Sequence, residues 1–366
     1  MKALLHVGLL TLALLSIPYG SLAGDSSPIV TREATQAEKS CHTLGWEYCT
    51  NDYDFLLSHP EAQEASRPWL NCHEELKEVV ELGMIGVTPS WWPQPELDVS
   101  DPGRAILEGT GMEFLFSPES LTTRPLEIIR LTSTVETSPT GMKYLQERLM
   151  LRDPYVGDIP ALLLLPPGKQ SVPGVVALPG HGESPLFFRD QRMGHFFPEQ
   201  GLGLLIVGFR AWDRPEKDHA QTVSYLCEGF SLIMARAYEG LVALRVLQAH
   251  PRTRGRHLGV IGHSGGSTAG NLLAWLDVNP ARAHVTDIQS EYLTTDAYGF
   301  IDCETHPALN QHWESLVWFD GAPRAILQVG YGLGGTREDE FEPDPTAPNS
   351  TEAFMPFFLR ELLPPP

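Results

Sequence analysis

His257-Leu-Gly-Val-Ile-Gly-His-Ser-Gly-Gly-Ser-Thr-Ala-Gly270 is the stretch that decides the fold. Residues 258–262 include β-favouring Val260 and Ile261 and run straight into Gly262-His-Ser-Gly-Gly266. Small and apolar residues then recur at helical spacing as far as Trp275. The reading is a strand, a sharp turn and a helix. So tight a turn forces Ser264 into a backbone conformation that L-residues avoid. Gly262 and Gly266 permit it because they bring no Cβ into the corner. The strain lifts the Ser264 hydroxyl clear of the sheet. The N–H of Gly265, at the helix start, then faces any negative charge that develops beside that hydroxyl. A serine in this setting is a candidate nucleophile.

Working outward, 174–179 and 202–208 are short apolar strands, and 222–249 reads as one long helix. Residues 264–276 are helical and 283–288 form a strand. A helical patch at 309–318, a strand at 324–329 and a terminal helix at 351–363 complete the series. Apolar strands alternating with helices predict an α/β fold, a doubly wound and mostly parallel sheet covered on both faces. Right-handed crossovers then line up the strand C-terminal ends along one edge, where ligands bind. Upstream, 126–135, 143–151 and 159–165 look like successive strands, with turns at Ser138-Pro-Thr-Gly141 and 154–158. Residues 24–140 read as a partly helical N-terminal extension packed on a main domain of 141–366. Its landmarks are a helical patch at 74–82 and the loop Ser90-Trp-Trp-Pro-Gln-Pro95. Trp91 and Trp92 are read first as packing aromatics and second as a sugar-stacking platform.

Residues 1–23 have the form of a secretory signal. Lys2 opens it, an apolar run follows and breaks at Pro18, and Ser21-Leu22-Ala23 offers small residues for cleavage. The expectation is a secreted or periplasmic protein with no membrane attachment in its mature form. A formal net charge of −20 disfavours nucleic acid and anionic lipid as partners. Of the five cysteines, Cys227 and Cys303 could form one bridge and two of Cys41, Cys49 and Cys72 another, leaving one thiol over. Neither Cys-x-x-Cys nor His-Glu-x-x-His occurs, so no metal and no cofactor is expected.

Pro179-Gly-His-Gly-Glu-Ser184 leaves the strand at 174–179 and is expected to face Ser264 across the sheet edge. A backbone N–H just after His181-Gly182, assigned to Glu183, would join that of Gly265 as an oxyanion hole.

From about Lys143 onward the chain resembles an α/β-hydrolase, and within that superfamily the dienelactone-hydrolase and acetyl-xylan-esterase-like branch. The residues that carry the resemblance are Leu178-Pro-Gly-His-Gly182, Gly208-Phe-Arg-Ala-Trp-Asp-Arg214, Ala235-Arg-Ala-Tyr-Glu-Gly-Leu-Val-Ala-Leu244 and the turn at Ser264. It implies a nucleophilic serine, an acid after the seventh strand and a histidine after the eighth. The implied substrates are small-molecule or carbohydrate esters. The sequence departs from this pattern near its end. No histidine follows His312, and 330–350 is too short for a helix, a strand and both loops, so the last strand is expected to be missing. The base could be His306 or His312, with His263 as a third option, although neighbours on a tight turn point apart. Acid candidates are Asp339 and Asp296. Two readings follow, an exported serine esterase or a non-catalytic hydrolase-like binding protein.

Overall fold

A computed structural model describes residues 29–40, 55–66, 86–87, 96–168, 170–180, 182–192, 194–210, 221–222, 224–253, 255–287, 300–301, 309, 324–329 and 351–363. Their strands are β1 (Ile29–Glu33), β2 (Gly86–Val87), β3 (Leu126–Thr137), β4 (Lys143–Asp153), β5 (Gly157–Leu165), β6 (Gly174–Leu178), β7 (Gly203–Val207), β8 (Leu258–Gly262), β9 (Ala283–Asp287), β10 (Phe300–Ile301) and β11 (Ala325–Val329). Nine of them form one sheet in the order β1-β3-β4-β5-β7-β6-β8-β9-β11. β3, β4, β5 and β7 pair antiparallel in succession. From β7 through β6, β8 and β9 to β11 every pair is parallel. β2 and β10 form a separate two-residue antiparallel pair.

The central strands are apolar because both faces are covered. β6, β7 and β8 are buried at every position, as expected for parallel strands under helices on both sides. Side chains alternate between two cores. Val176, Leu178 and Val260 join a cluster with Leu241 and Leu244 of the long helix (Leu232–Ala249) and Ala269 and Leu272 of the elbow helix (Gly265–Trp275). Val175, Ala177 and Ile261 join the opposite cluster with Phe188, Phe197, Phe354 and Phe358. The last two belong to the terminal helix (Thr351–Leu362). Gly259 in β8 allows that helix its close approach, since a Cβ there would lie 2.8 Å from the Phe358 ring. The sheet is therefore doubly wound. Among the described residues β11 is its last strand, and residues 330–350, where a further one was expected to be missing, lie outside the described residues.

Two expectations are corrected. The helix expected over 222–249 is interrupted: Gly229 has a φ of 83°, and Ser231 starts a new helix by accepting the Met234 N–H on its hydroxyl at 3.3 Å. Residues assigned to the extension also build the sheet. β3 lies wholly within that segment, and β1 pairs with it in parallel, Ile29 opposite Leu126. Ile106, Leu115 and Phe116, from the same segment, enter the core beneath the long helix. This second cover explains why the long helix is buried from Leu232 to Leu247 with no polar face. Glu239 of this helix is paired with Arg210. Arg210 Nε donates to Glu239 Oε1 at 2.5 Å, and Arg210 Nη2 donates to the Val156 carbonyl at 2.6 Å.

Cys227 is disulfide-bonded, and its partner lies outside the described residues. So do the signal segment, residues 74–82 and 90–95, and the patch at 309–318 apart from Leu309. No described helix is long and apolar enough to cross a membrane.

Candidate functional site

Ser264 has φ 52° and ψ −126°, and among the described residues no other non-glycine has a positive φ. Holding a serine there costs on the order of 1–3 kcal/mol, which the surrounding structure must impose. The constraint comes from close backbone crossings. A Cβ on Gly262 would lie 2.4 Å from the Gly266 carbonyl oxygen, and one on Gly266 would lie 2.0 Å from the Leu178 carbonyl oxygen. Glycine is thus required on both sides of the serine, one at the end of β8 and one where the elbow helix crosses the end of β6. Ser267 Oγ donates to the Gly262 carbonyl at 2.7 Å and ties the helix back to the strand. The Ser264 carbonyl accepts from Ser267 and Thr268 N–H at 2.7 and 3.2 Å, so the serine caps the helix with its backbone alone.

Ser264 is half-buried. Among the described residues its hydroxyl makes no hydrogen bond, and the Gly265 N–H has no acceptor. That N–H belongs to the first helical turn, where donors lack intrahelical partners and the helix dipole favours negative charge.

No family model and no curated protein matches the chain. Solved structures do resemble it. A Bacteroides fragilis protein assigned as an acetyl xylan esterase shares 14% identity over 72% of this chain and 75% of its own, with a TM-score of 0.43. An acetyl xylan esterase from a Paenibacillus species shares 13% over 66% and 84%, at 0.40. A dienelactone hydrolase from Anabaena variabilis shares 17% over 56% and 93%, at 0.37. At such identities and scores, function has to be read from the elbow itself.

The loop after β6 reaches the serine, but not as expected. Gly180 packs directly on the elbow: a Cβ there would sit 2.7 Å from His263 Nδ1 and 3.0 Å from Ser264 Cβ. The Glu183 N–H, expected in the oxyanion hole, instead donates to the Gly180 carbonyl at 3.1 Å. Gly182, with φ 75°, makes that turn possible. It is the Glu183 carboxylate that faces the site. Oε2 accepts the Gly180 N–H at 2.7 Å, and Oε1 accepts from Arg192 Nε at 2.7 Å and lies 3.2 Å from His263 Nδ1. Burial pushes this carboxyl up, but His263, Arg192 and the Gly180 N–H outweigh it and hold it below its ordinary 4.5. His263 therefore faces Glu183 with one ring nitrogen, as its place beside a tight turn requires.

His306, His312, Asp296 and Asp339 lie outside the described residues, as do His181 and 211–220. The role of the Glu183 side chain was not read from the sequence. Its partners come from the elbow, its own turn and the segment after the next helix, and no spacing links them. A cavity of about 450 Å³ lined by Leu121, Leu241, Arg245 and Val278 lies by the C-terminal half of the long helix and the segment after the elbow helix. It takes no part in this site.

Proposed function

We propose that the protein is an exported serine hydrolase that cleaves carboxylic esters, with Ser264 as the nucleophile. One observation carries the reading: Ser264 alone among the described non-glycine residues is held at positive φ, at a helix N-terminus, between glycines that nothing larger can replace. Strain of this kind, imposed by crossings that leave the chain no alternative, is a functional signature when it presents a reactive group.

The chemistry follows from the elbow. The Ser264 hydroxyl attacks the ester carbonyl carbon, and the developing oxyanion is received by the Gly265 N–H. Collapse of the tetrahedral intermediate expels the alcohol and leaves an acyl-serine, which water cleaves to release the acid. The serine proton must pass to a base, and His306 and His312 are the candidates, with Asp296 or Asp339 as the acid. The resemblance of the sequence to acetyl-xylan-esterase-like enzymes extends the substrate class to acylated carbohydrate. The signal-like residues 1–23 support export.

A second reading, a hydrolase-shaped binding protein, rests on the sequence: no histidine stands at the position beyond His312 that the resemblance implies. Hydrolysis of a p-nitrophenyl acetate substrate separates the two. The hydrolase reading expects turnover that Ser264→Ala abolishes. Folded wild-type protein with no turnover above the alanine variant supports the binding protein.

A further inference from the structure

We propose that Glu183 is the positioning residue of this site, acting through its side chain to hold the Pro179–Glu183 loop against the nucleophile elbow. The proposal rests on the hydrolase reading and adds a residue that touches neither substrate nor reacting atoms.

Three contacts carry it. Glu183 is 6% exposed, and both of its oxygens are engaged. Oε2 takes the Gly180 N–H, so the carboxylate closes its own loop. Oε1 lies between Arg192 Nε and His263 Nδ1, which anchors the loop to the segment after the next helix and to the residue preceding the nucleophile. The turn is closed a second time by the Glu183 N–H on the Gly180 carbonyl. Gly180 is the point of contact, because nothing larger than hydrogen fits between it and the His263–Ser264 pair.

A buried carboxylate with an arginine and a histidine at one oxygen and a backbone N–H on the other sets position rather than merely filling space. The loop it fixes runs beside the space where an ester carbonyl must sit to meet Ser264. A displacement of that loop changes the geometry of the transition state more than it changes substrate capture. The groups facing Glu183 are His263, Arg192 and the Gly180 N–H. His181, between them in sequence, lies outside the described residues.

The test uses Glu183→Gln, which preserves shape but puts an N–H donor where an oxygen now accepts from Arg192 Nε or the Gly180 N–H. Arg192→Gln is the second variant; it removes one anchor from the side away from the serine and keeps the test open if the first variant folds poorly. For Glu183→Gln, kcat on a p-nitrophenyl ester is expected to fall on the order of 10- to 100-fold, while KM stays within about twofold. Amide exchange in the 178–183 peptide should accelerate. Arg192→Gln should move both readouts the same way by less. A folded Glu183→Gln with wild-type kcat, a loss confined to KM, or unchanged exchange in the loop overturns the proposal. A wild type that never turns over sinks the hydrolase reading and this role with it. A wild type that turns over no faster than Glu183→Gln sinks this role alone.

Discussion

Two glycines in the elbow helix make opposite predictions for the same substitution. An alanine at 266 would place its Cβ 2.0 Å from Leu178 O, 2.5 Å from Leu178 C and 2.6 Å from Pro179 O, all of them backbone atoms. Non-bonded carbon atoms are at ease near about 3.5 Å, so the helix and β6 would have to part by more than roughly 1 Å. They cannot do so freely. Leu178 pairs with Gly262 in the sheet, and its carbonyl accepts the His263 N–H at 3.1 Å. The overpacking cost therefore falls at the upper end of the usual range, about 3 kcal/mol. Helix propensity opposes it by about 1 kcal/mol. Gly266→Ala should thus destabilise the fold by about 2 kcal/mol net. At Gly270 a Cβ would meet Thr286 Cγ2 at 3.5 Å, Leu178 Cδ1 at 3.7 Å and Val260 Cγ1 at 3.8 Å, all ordinary contacts. Gly270→Ala should therefore stabilise by up to about 1 kcal/mol. Urea unfolding midpoints, compared at equal slope, read both changes. Two shifts of the same sign, or a Gly266→Ala protein as stable as wild type, would refute the close crossing that defines the elbow.

Arg324 closes the other end of that helix, its guanidinium donating to the carbonyls of Ala274, Leu276, Asn279 and Ala281. Arg324→Met should cost about 3 kcal/mol in urea unfolding, because it orphans several buried acceptors at once; a loss below about 0.5 kcal/mol would show the cap to be dispensable. His284 is fully buried, and its Nε2 lies 2.9 Å from the Asn279 side-chain amide. Burial, with Arg324 nearby, lowers its pKa from 6.5 to about 3. Because the folded state resists the proton, the stability it contributes is full above 6.5 and is lost as pH falls from there toward 3. Between pH 7 and 5 the wild type should lose about 2 kcal/mol through this group, a loss absent from His284→Gln; equal pH slopes in the two proteins would contradict the assignment.

The central sheet was legible because burial on both faces leaves unbroken apolar runs such as Gly174-Val-Val-Ala-Leu178 and Leu204-Leu-Ile-Val207, bounded by glycine and proline. The elbow was legible because two steric collisions compel two glycines at fixed spacing. β1 was not, since its pairing leaves Val30 58% exposed and its Ile-Val-Thr-Arg-Glu sequence carries no alternation. Its ladder with β3 is supplemented by charge, with Arg32 bridging Glu38 and Glu127. The helix break at Gly229 was hidden because apolar residues flank it on both sides. Glu183 was placed in its loop through its backbone N–H, and the engagement of its carboxylate was not read. A backbone donor can be guessed from a motif, whereas a carboxylate shared by three elements exists only once they are folded together.

The account stands most directly on the reactivity of one hydroxyl. Wild-type protein incubated with a fluorophosphonate and digested for peptide mass mapping should carry one adduct, on the peptide containing Ser264, and Ser264→Ala should carry none. Folded wild-type protein that stays unmodified, or an adduct that survives Ser264→Ala, would contradict it.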